Sequence, residues 1–160
     1  MKVVLVLVCL VSAASAHVCL LEPHQRGTMD GINTKEASDC GLLVKDCGGR
    51  GEKPPHTEIK SGSSYDVIFQ KNLNHFAIFE NGTTTNGYFE VAFWAHGHQC
   101  QILKKVNDGP TPSLHLYSET VTMPNGPVGV PAILQVKYVT NNPDVPKGGI
   151  FYQCSDVELY

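Results

Sequence analysis

The run Tyr88-Phe89-Glu90-Val91-Ala92-Phe93-Trp94 is rich in aromatic and β-branched residues and follows the turn pair Asn86-Gly87. Such a composition suits a pleated, half-buried surface and reads as a β-strand. Working outward, Leu134, Val136 and Tyr138 alternate with Gln135 and Lys137, the period of two that marks a strand with one buried face. Residues 65–69 are apolar-rich and precede a polar run at 70–74, and residues 150–159 read as a final strand. Gly62, Asn81-Gly82, Asn125-Gly126 and Gly148-Gly149 punctuate these runs as turns. No segment carries a 3.6-residue apolar stripe with caps, and no internal repeat is visible. Residues 22–55 are long, Gly-rich and cysteine-bearing, and read as a stapled loop region with at most one short helix. The expected class is an all-β sandwich with disulfide-stapled loops. In the final segment Ile150, Tyr152 and Cys154 share one face while the apolar positions then move to Val157 and Leu159. A bulge near residues 153–156 would reconcile the two halves.

The chain has 160 residues, which is the length of one domain. Its hydrophobic content of 42% is enough for a packed core. Charged residues make up 17%, the formal net charge is −3, and Lys and Arg form no run, so nucleic-acid binding is not expected.

The first sixteen residues read as a secretory signal peptide, leaving 17–160 as a single domain. Lys2 is a basic start, residues 3–11 an apolar core, and Ala14-Ser15-Ala16 a small-residue cleavage site. The apolar run is far shorter than the ~20 residues needed to span a bilayer, so no membrane span is expected and the protein is read as secreted. Cleavage after Ala16 makes His17 the N-terminal residue. Its α-amine and imidazole Nδ1 can then chelate one ion.

Secretion implies an oxidising compartment. Of six cysteines, Cys9 lies in the leader; Cys19, Cys40, Cys47, Cys100 and Cys154 remain. None shows the C-x-x-C spacing of a zinc site, so they read as two disulfides and one free thiol, with the pairing open. Asn81-Gly82-Thr83 is a glycosylation sequon in a polar loop.

Seven histidines lie beyond the leader. His24, His56 and His115 read as solvated loop residues. His96-Gly97-His98 has the H-x-H spacing of a metal pair on a strand. His17 and His75 form the sharper combination. The terminal amine, His17 Nδ1 and one ring nitrogen of His75 make a three-nitrogen set that suits Cu(II), though imidazole also suits zinc. The amine must lose its proton to bind, so metal competes with a group of reference pKa roughly 7.7–8.0.

His17 after a signal peptide, Pro23 and Arg26, Cys47-Gly48-Gly49, Asn72-Leu73-Asn74-His75 and the closing Phe151-Tyr152-Gln153-Cys154-Ser155-Asp156-Val157 together resemble the copper acquisition factor-like branch of the lytic polysaccharide monooxygenase-like proteins. The resemblance runs from residue 17 to the chain end. It implies an immunoglobulin/fibronectin-like β-sandwich with a histidine brace, the copper ligands mapping onto His17 and His75. The branch places a carboxylate near the metal, and Asp156 matches that position; Tyr152 is the alternative that would favour oxidative chemistry. A carboxylate there would lower the net charge of the site and crowd the open position that an oxidant needs. The chain departs from the pattern in its odd cysteine, in Cys19 standing two residues from the metal-binding terminus as a thiol able to compete for Cu(I), and in the absence of a C-terminal hydrophobic tail after Tyr160.

Three functions follow as expectations. The first is extracellular copper capture or homeostasis by a monomer, with Cu(II) and Cu(I) as ligands and a cell-surface copper transporter or a polysaccharide as partner. The second is a copper-dependent monooxygenase acting on chitin or cellulose, with Tyr65, Tyr88 or Tyr117 on a sugar-binding surface. The third is a metal-free secreted structural module. No G-x-S-x-G elbow and no phosphate-binding loop are present.

Overall fold

The computed structural model describes residues 17–96 and 100–160. The signal peptide read in residues 1–16, and the His98 half of the H-x-H pair, lie outside the described residues. Eight strands are formed: β1 (His17–Glu22), β2 (Thr57–Ile59), β3 (Ser64–Leu73), β4 (Tyr88–Ala95), β5 (Gln101–Asn107), β6 (His115–Thr122), β7 (Pro131–Val139) and β8 (Ile150–Leu159). Short 3₁₀ turns occur at Ser38–Cys40, Cys47–Gly49 and Pro146–Gly149, and no α-helix is found among the described residues. None of the described residues forms a helix long and apolar enough to cross a membrane.

The strands make two sheets, β1-β3-β6 and β2-β8-β7-β4-β5. All pairings are antiparallel except β2 with β8. The result is an immunoglobulin-like β-sandwich. Its core lies between the sheets and is built by alternation. Phe89, Val91 and Phe93 of β4 and Leu134, Val136 and Tyr138 of β7 point inward; Val18, Leu20, Val67 and Phe69 face them from the smaller sheet. Phe69, Phe89, Tyr117 and Tyr138 form an aromatic cluster with ring centres 4.3–5.1 Å apart. Each large apolar side chain buried this way contributes roughly 1.5–3 kcal/mol.

One local expectation is corrected. The bulge near residues 153–156 is absent: β8 pairs with β7 in unbroken register from Ile150 to Glu158. Phe151, Gln153, Ser155, Val157 and Leu159 share the inward face, and Gln153 and Ser155 occupy buried positions. The polar pair interrupts the apolar series without shifting the chain, because Gln153 donates from Nε2 to the Asp39 carbonyl at 2.6 Å. The irregularities fall instead in β1, after His17 and after Leu20, and in the β4–β5 pairing at Val91–Ala92. The strand read at 65–69 is longer than its apolar part. β3 continues into the polar run, to Leu73, with Gln70, Lys71 and Asn72 buried.

Residues 22–55 form the expected stapled region. Cys19 pairs with Cys40 and Cys47 with Cys154, leaving Cys100 free and exposed. The second bridge closes a span of 107 residues; in the chain-entropy account a loop of that order is worth about 4.7 kcal/mol. Cys19 is thus oxidised and presents no thiolate to a metal at His17.

Candidate metal centre

His17 opens β1, the edge strand of the smaller sheet, and pairs with Leu73 at the last residue of β3. His75 follows two residues later. Two residues add at most about 7 Å to a paired Cα separation of about 5 Å, so the two Cα atoms lie within roughly 12 Å. Both histidines are largely buried, at 4% and 8% exposure. The structure therefore brings the two predicted nitrogen ligands to one end of one sheet.

The His17 ring has two further neighbours. Phe151 lies nearly parallel to it, with ring centres 6.3 Å apart and 17° between the planes. On another side the imidazole abuts Gly41. A Cβ at Gly41 would stand 2.5 Å from Nε2 and 2.8 Å from Cδ2, closer than any real contact. Gly41 follows Cys40, whose disulfide partner Cys19 lies two residues after His17. The bridge thus fastens the glycine beside the ring, and a side chain there would require the ring to move.

His75 is held by its backbone. Its N–H donates to Tyr138 Oη at 3.3 Å, and its carbonyl accepts from Asn142 Nδ2 at 3.1 Å. Tyr138 Oη in turn donates to Asp108 Oδ2 at 2.6 Å. Asp108 accepts from Lys71 Nζ at 2.8 Å, and neither side chain is exposed. Lys71 also donates to Asn74 Oδ1 at 2.9 Å and to the Gly109 carbonyl at 2.8 Å. Burial pulls the Lys71 ammonium below its ordinary range, opposed by the Asp108 charge. Burial, with the Asp108 charge behind it, pushes the Tyr138 phenol far up, so it stays protonated and donating. Asn72 binds the facing loop, accepting from Ala37 N–H at 3.0 Å and donating to Gln70 Oε1 at 2.8 Å and the Thr34 carbonyl at 3.0 Å. The polar residues before His75 are a buried scaffold for it.

Asp156, read from the sequence as a metal-facing carboxylate, is set apart from this pair. Arg26 donates from Nε to Oδ2 at 2.8 Å and from Nη2 to Oδ1 at 2.5 Å. Both residues are 3% exposed. Five residues separate Asp156 from Phe151 in a regular strand. That odd spacing puts the two on opposite faces, and it sets them about 16 Å apart along β8. Tyr152 shares the face of Asp156 and lines a groove of about 410 Å³ with Trp94, Gln135 and Lys137. The aromatic side chain next to His17 is Phe151, which the sequence reading passed over. Counting back by twos from the core residues Leu159 and Val157 would have found it.

The remaining candidates stand elsewhere. His96 is exposed, with Nδ1 4.0 Å from Glu52. His115 packs edge-on against Tyr117. Tyr65 donates to Glu22 Oε1 at 2.5 Å, Tyr88 lies under Lys105 Nζ at 4.8 Å, and Tyr117 stacks on Phe69. All three tyrosines are half-buried and engaged within the chain.

Among the described residues no group of three or more His, Cys, Asp and Glu side chains is placed to hold a metal. The donors at this end of the sandwich are two buried imidazoles. That set fits a borderline cation such as copper or zinc, given one more donor.

No protein-family profile matches the chain, and neither does any curated protein. Solved structures do. The lytic polysaccharide monooxygenase AA15 from Thermobia domestica, in the Cu(I) state, is 16% identical with a TM-score of 0.59, over 89% of this chain and 98% of that one. ScLPMO10B in complex with zinc is 17% identical with a TM-score of 0.51, over 89% and 99%. The chain therefore has a lytic polysaccharide monooxygenase-like fold.

Proposed function

We propose that this is a secreted copper-binding protein, its leader removed after Ala16, in which His17 and His75 hold one copper ion for extracellular capture or homeostasis. The observation that carries the reading is the pairing of His17 with Leu73, two residues before His75, with both imidazoles buried. Cleavage supplies the third donor, the α-amine of His17. Bound copper supplies a Cu(II)/Cu(I) couple and a strong preference for nitrogen donors. The chain's own part is to hold the two rings. Gly41 and Phe151 confine the His17 imidazole, and Tyr138 and Asn142 fix the backbone of His75. Asp156 enters this reading through Arg26, whose guanidinium it neutralises and which also holds the Arg50 carbonyl. A cell-surface copper transporter is the partner that capture calls for.

Titration of the processed protein with Cu(II), followed by electron paramagnetic resonance, tests the reading. One tightly bound equivalent is expected, with a changed spectrum and weaker binding in His75→Ala. An unchanged spectrum in that variant would sink the proposal.

A second reading, a copper-dependent monooxygenase on chitin or cellulose, is favoured by one feature. The group beside His17 is the apolar Phe151, where the capture reading from sequence expected a carboxylate. It lacks support from the tyrosines, which are occupied within the chain. Copper-loaded protein given reductant, peroxide and polysaccharide separates the two: oxidised oligosaccharides in the mass spectrum would favour the enzyme.

A further inference from the structure

We propose that Asn81 carries an N-linked glycan whose first N-acetylglucosamine lies on the ring of Phe79. The proposal rests on the secretory reading of residues 1–16, because a sequon is modified only on the secretory route. Between β3 and β4 the chain turns back in a small hairpin. Ile78 and Thr84 make an antiparallel bridge, and Thr85 N–H donates to the Ala77 carbonyl at 3.2 Å. Phe79 N–H donates to the Thr83 carbonyl at 2.8 Å, and Gly82 N–H to the Phe79 carbonyl at 2.9 Å. Glu80, Asn81 and Gly82 thus form a three-residue hairpin loop, with Gly82 in the left-handed region at φ 79°. All three are exposed, and a side chain at Gly82 would meet nothing within 4 Å.

The second observation is the state of the acceptor amide. Thr83 donates twice to Asn81 Oδ1, from its N–H at 3.0 Å and from Oγ1 at 2.7 Å. Both bonds fall on the oxygen, so the exposed side chain is held in one place with Nδ2, the atom that takes the sugar, toward solvent. In the transfer an Nδ2–C1 bond forms and the C1–O bond of a polyprenyl-pyrophosphate-linked oligosaccharide breaks. The pyrophosphate leaves with that electron pair, and one Nδ2 proton passes to a base of the transferase. Nothing is oxidised or reduced.

Phe79 supplies the platform. It opposes Thr83 across the hairpin, so the two side chains share a face. The Thr83 hydroxyl ties the Asn81 side chain to that same face. Phe79 is 38% exposed, which leaves ring surface open beside the amide. The face of an aromatic ring is its negative side, and the C–H groups of a pyranose carry the complementary weak positive charge. A sugar on Asn81 therefore covers apolar surface that water otherwise wets.

The test uses the full chain expressed in cultured eukaryotic cells, with the mature N-terminus read on the same sample. Protein that begins at His17 is expected to lose one glycan to peptide-N-glycosidase, which converts the modified Asn81 to aspartate. Asn81→Gln, and Thr83→Ala as a second variant, are expected to carry no glycan. Enzymatic removal of the glycan should lower the thermal midpoint by roughly 2–4 °C in the wild type and leave it unchanged in Phe79→Ala. Protein that begins at His17 without a glycan, or a glycan still present in both sequon variants, would overturn the proposal while the secretory reading stood. A chain that stays in the cell with residues 1–16 attached would overturn both. An equal thermal shift in Phe79→Ala would remove the ring as the platform.

Discussion

Gly41 and the imidazole of His17 touch so closely that a methyl group on the glycine would stand 2.5 Å from Nε2. The backbone of Gly41 has φ −94° and ψ 32°, open to any residue, so the constraint is the ring alone. Gly41→Ala is therefore expected to fold normally and to displace the His17 ring. Copper affinity should fall at least tenfold with thermal stability little changed. Isothermal titration of both proteins with Cu(II) checks this; equal affinity would mean that the ring has no fixed place to lose.

The scaffold under His75 predicts a joint loss. Tyr138→Phe removes the acceptor of the His75 N–H and the donor to Asp108, leaving polar groups buried without that partner. A cost of about 1–3 kcal/mol is expected. Lys71→Met strands the Asp108 charge in the core, and breaking a buried pair from one side costs about 3–5 kcal/mol. Urea denaturation measures both. The copper spectrum should shift in Tyr138→Phe under conditions where the variant is fully folded, because the backbone that presents His75 has moved.

Asp156→Asn separates two roles. As the partner of Arg26 the carboxylate supports stability, and its neutralisation should lower the denaturation midpoint strongly. The copper spectrum of the folded variant should match the wild type. A changed spectrum at full folding would restore the carboxylate to the metal.

Acid should weaken the fold through Glu90. Burial raises its carboxyl, but Lys137 and Lys105 outweigh burial and hold it below the ordinary 4.5. Lys137 Nζ lies 2.5 Å and Lys105 Nζ 3.2 Å from its oxygens. A carboxyl lowered on folding contributes stability that is present above its unfolded value and lost as pH falls through the folded one. Stability should thus decline as pH falls below about 4.5, and less steeply in Glu90→Gln. Denaturation midpoints from pH 7 downward measure the slope.

Much of the architecture was legible because alternation is a local property. β4 and β7 sit in the middle of the larger sheet, and Phe89, Val91, Leu134 and Val136 repeat every second residue regardless of what they face. β5 and β6 were not legible: they are edge strands, largely exposed, and carry little contrast between faces. The polar end of β3 was not legible for the opposite reason. Lys71 and Asn72 are buried, but their partners Asp108, Ala37 and Thr34 are distant in sequence, so nothing nearby signals that their polarity is satisfied.

The same division holds at the site. His17 and His75 stood out by residue type and by their places relative to the expected leader and a strand end, which sequence alone carries. The cysteine pairing, the contact of Gly41 with a ring 24 positions earlier, and the capture of Asp156 by Arg26 across 130 residues depend on which strands lie side by side. So does Phe151, whose direction follows from an unbroken β7–β8 register. Side-chain chemistry is written residue by residue, whereas proximity is set by long-range pairing whose free energy is summed over the whole sandwich.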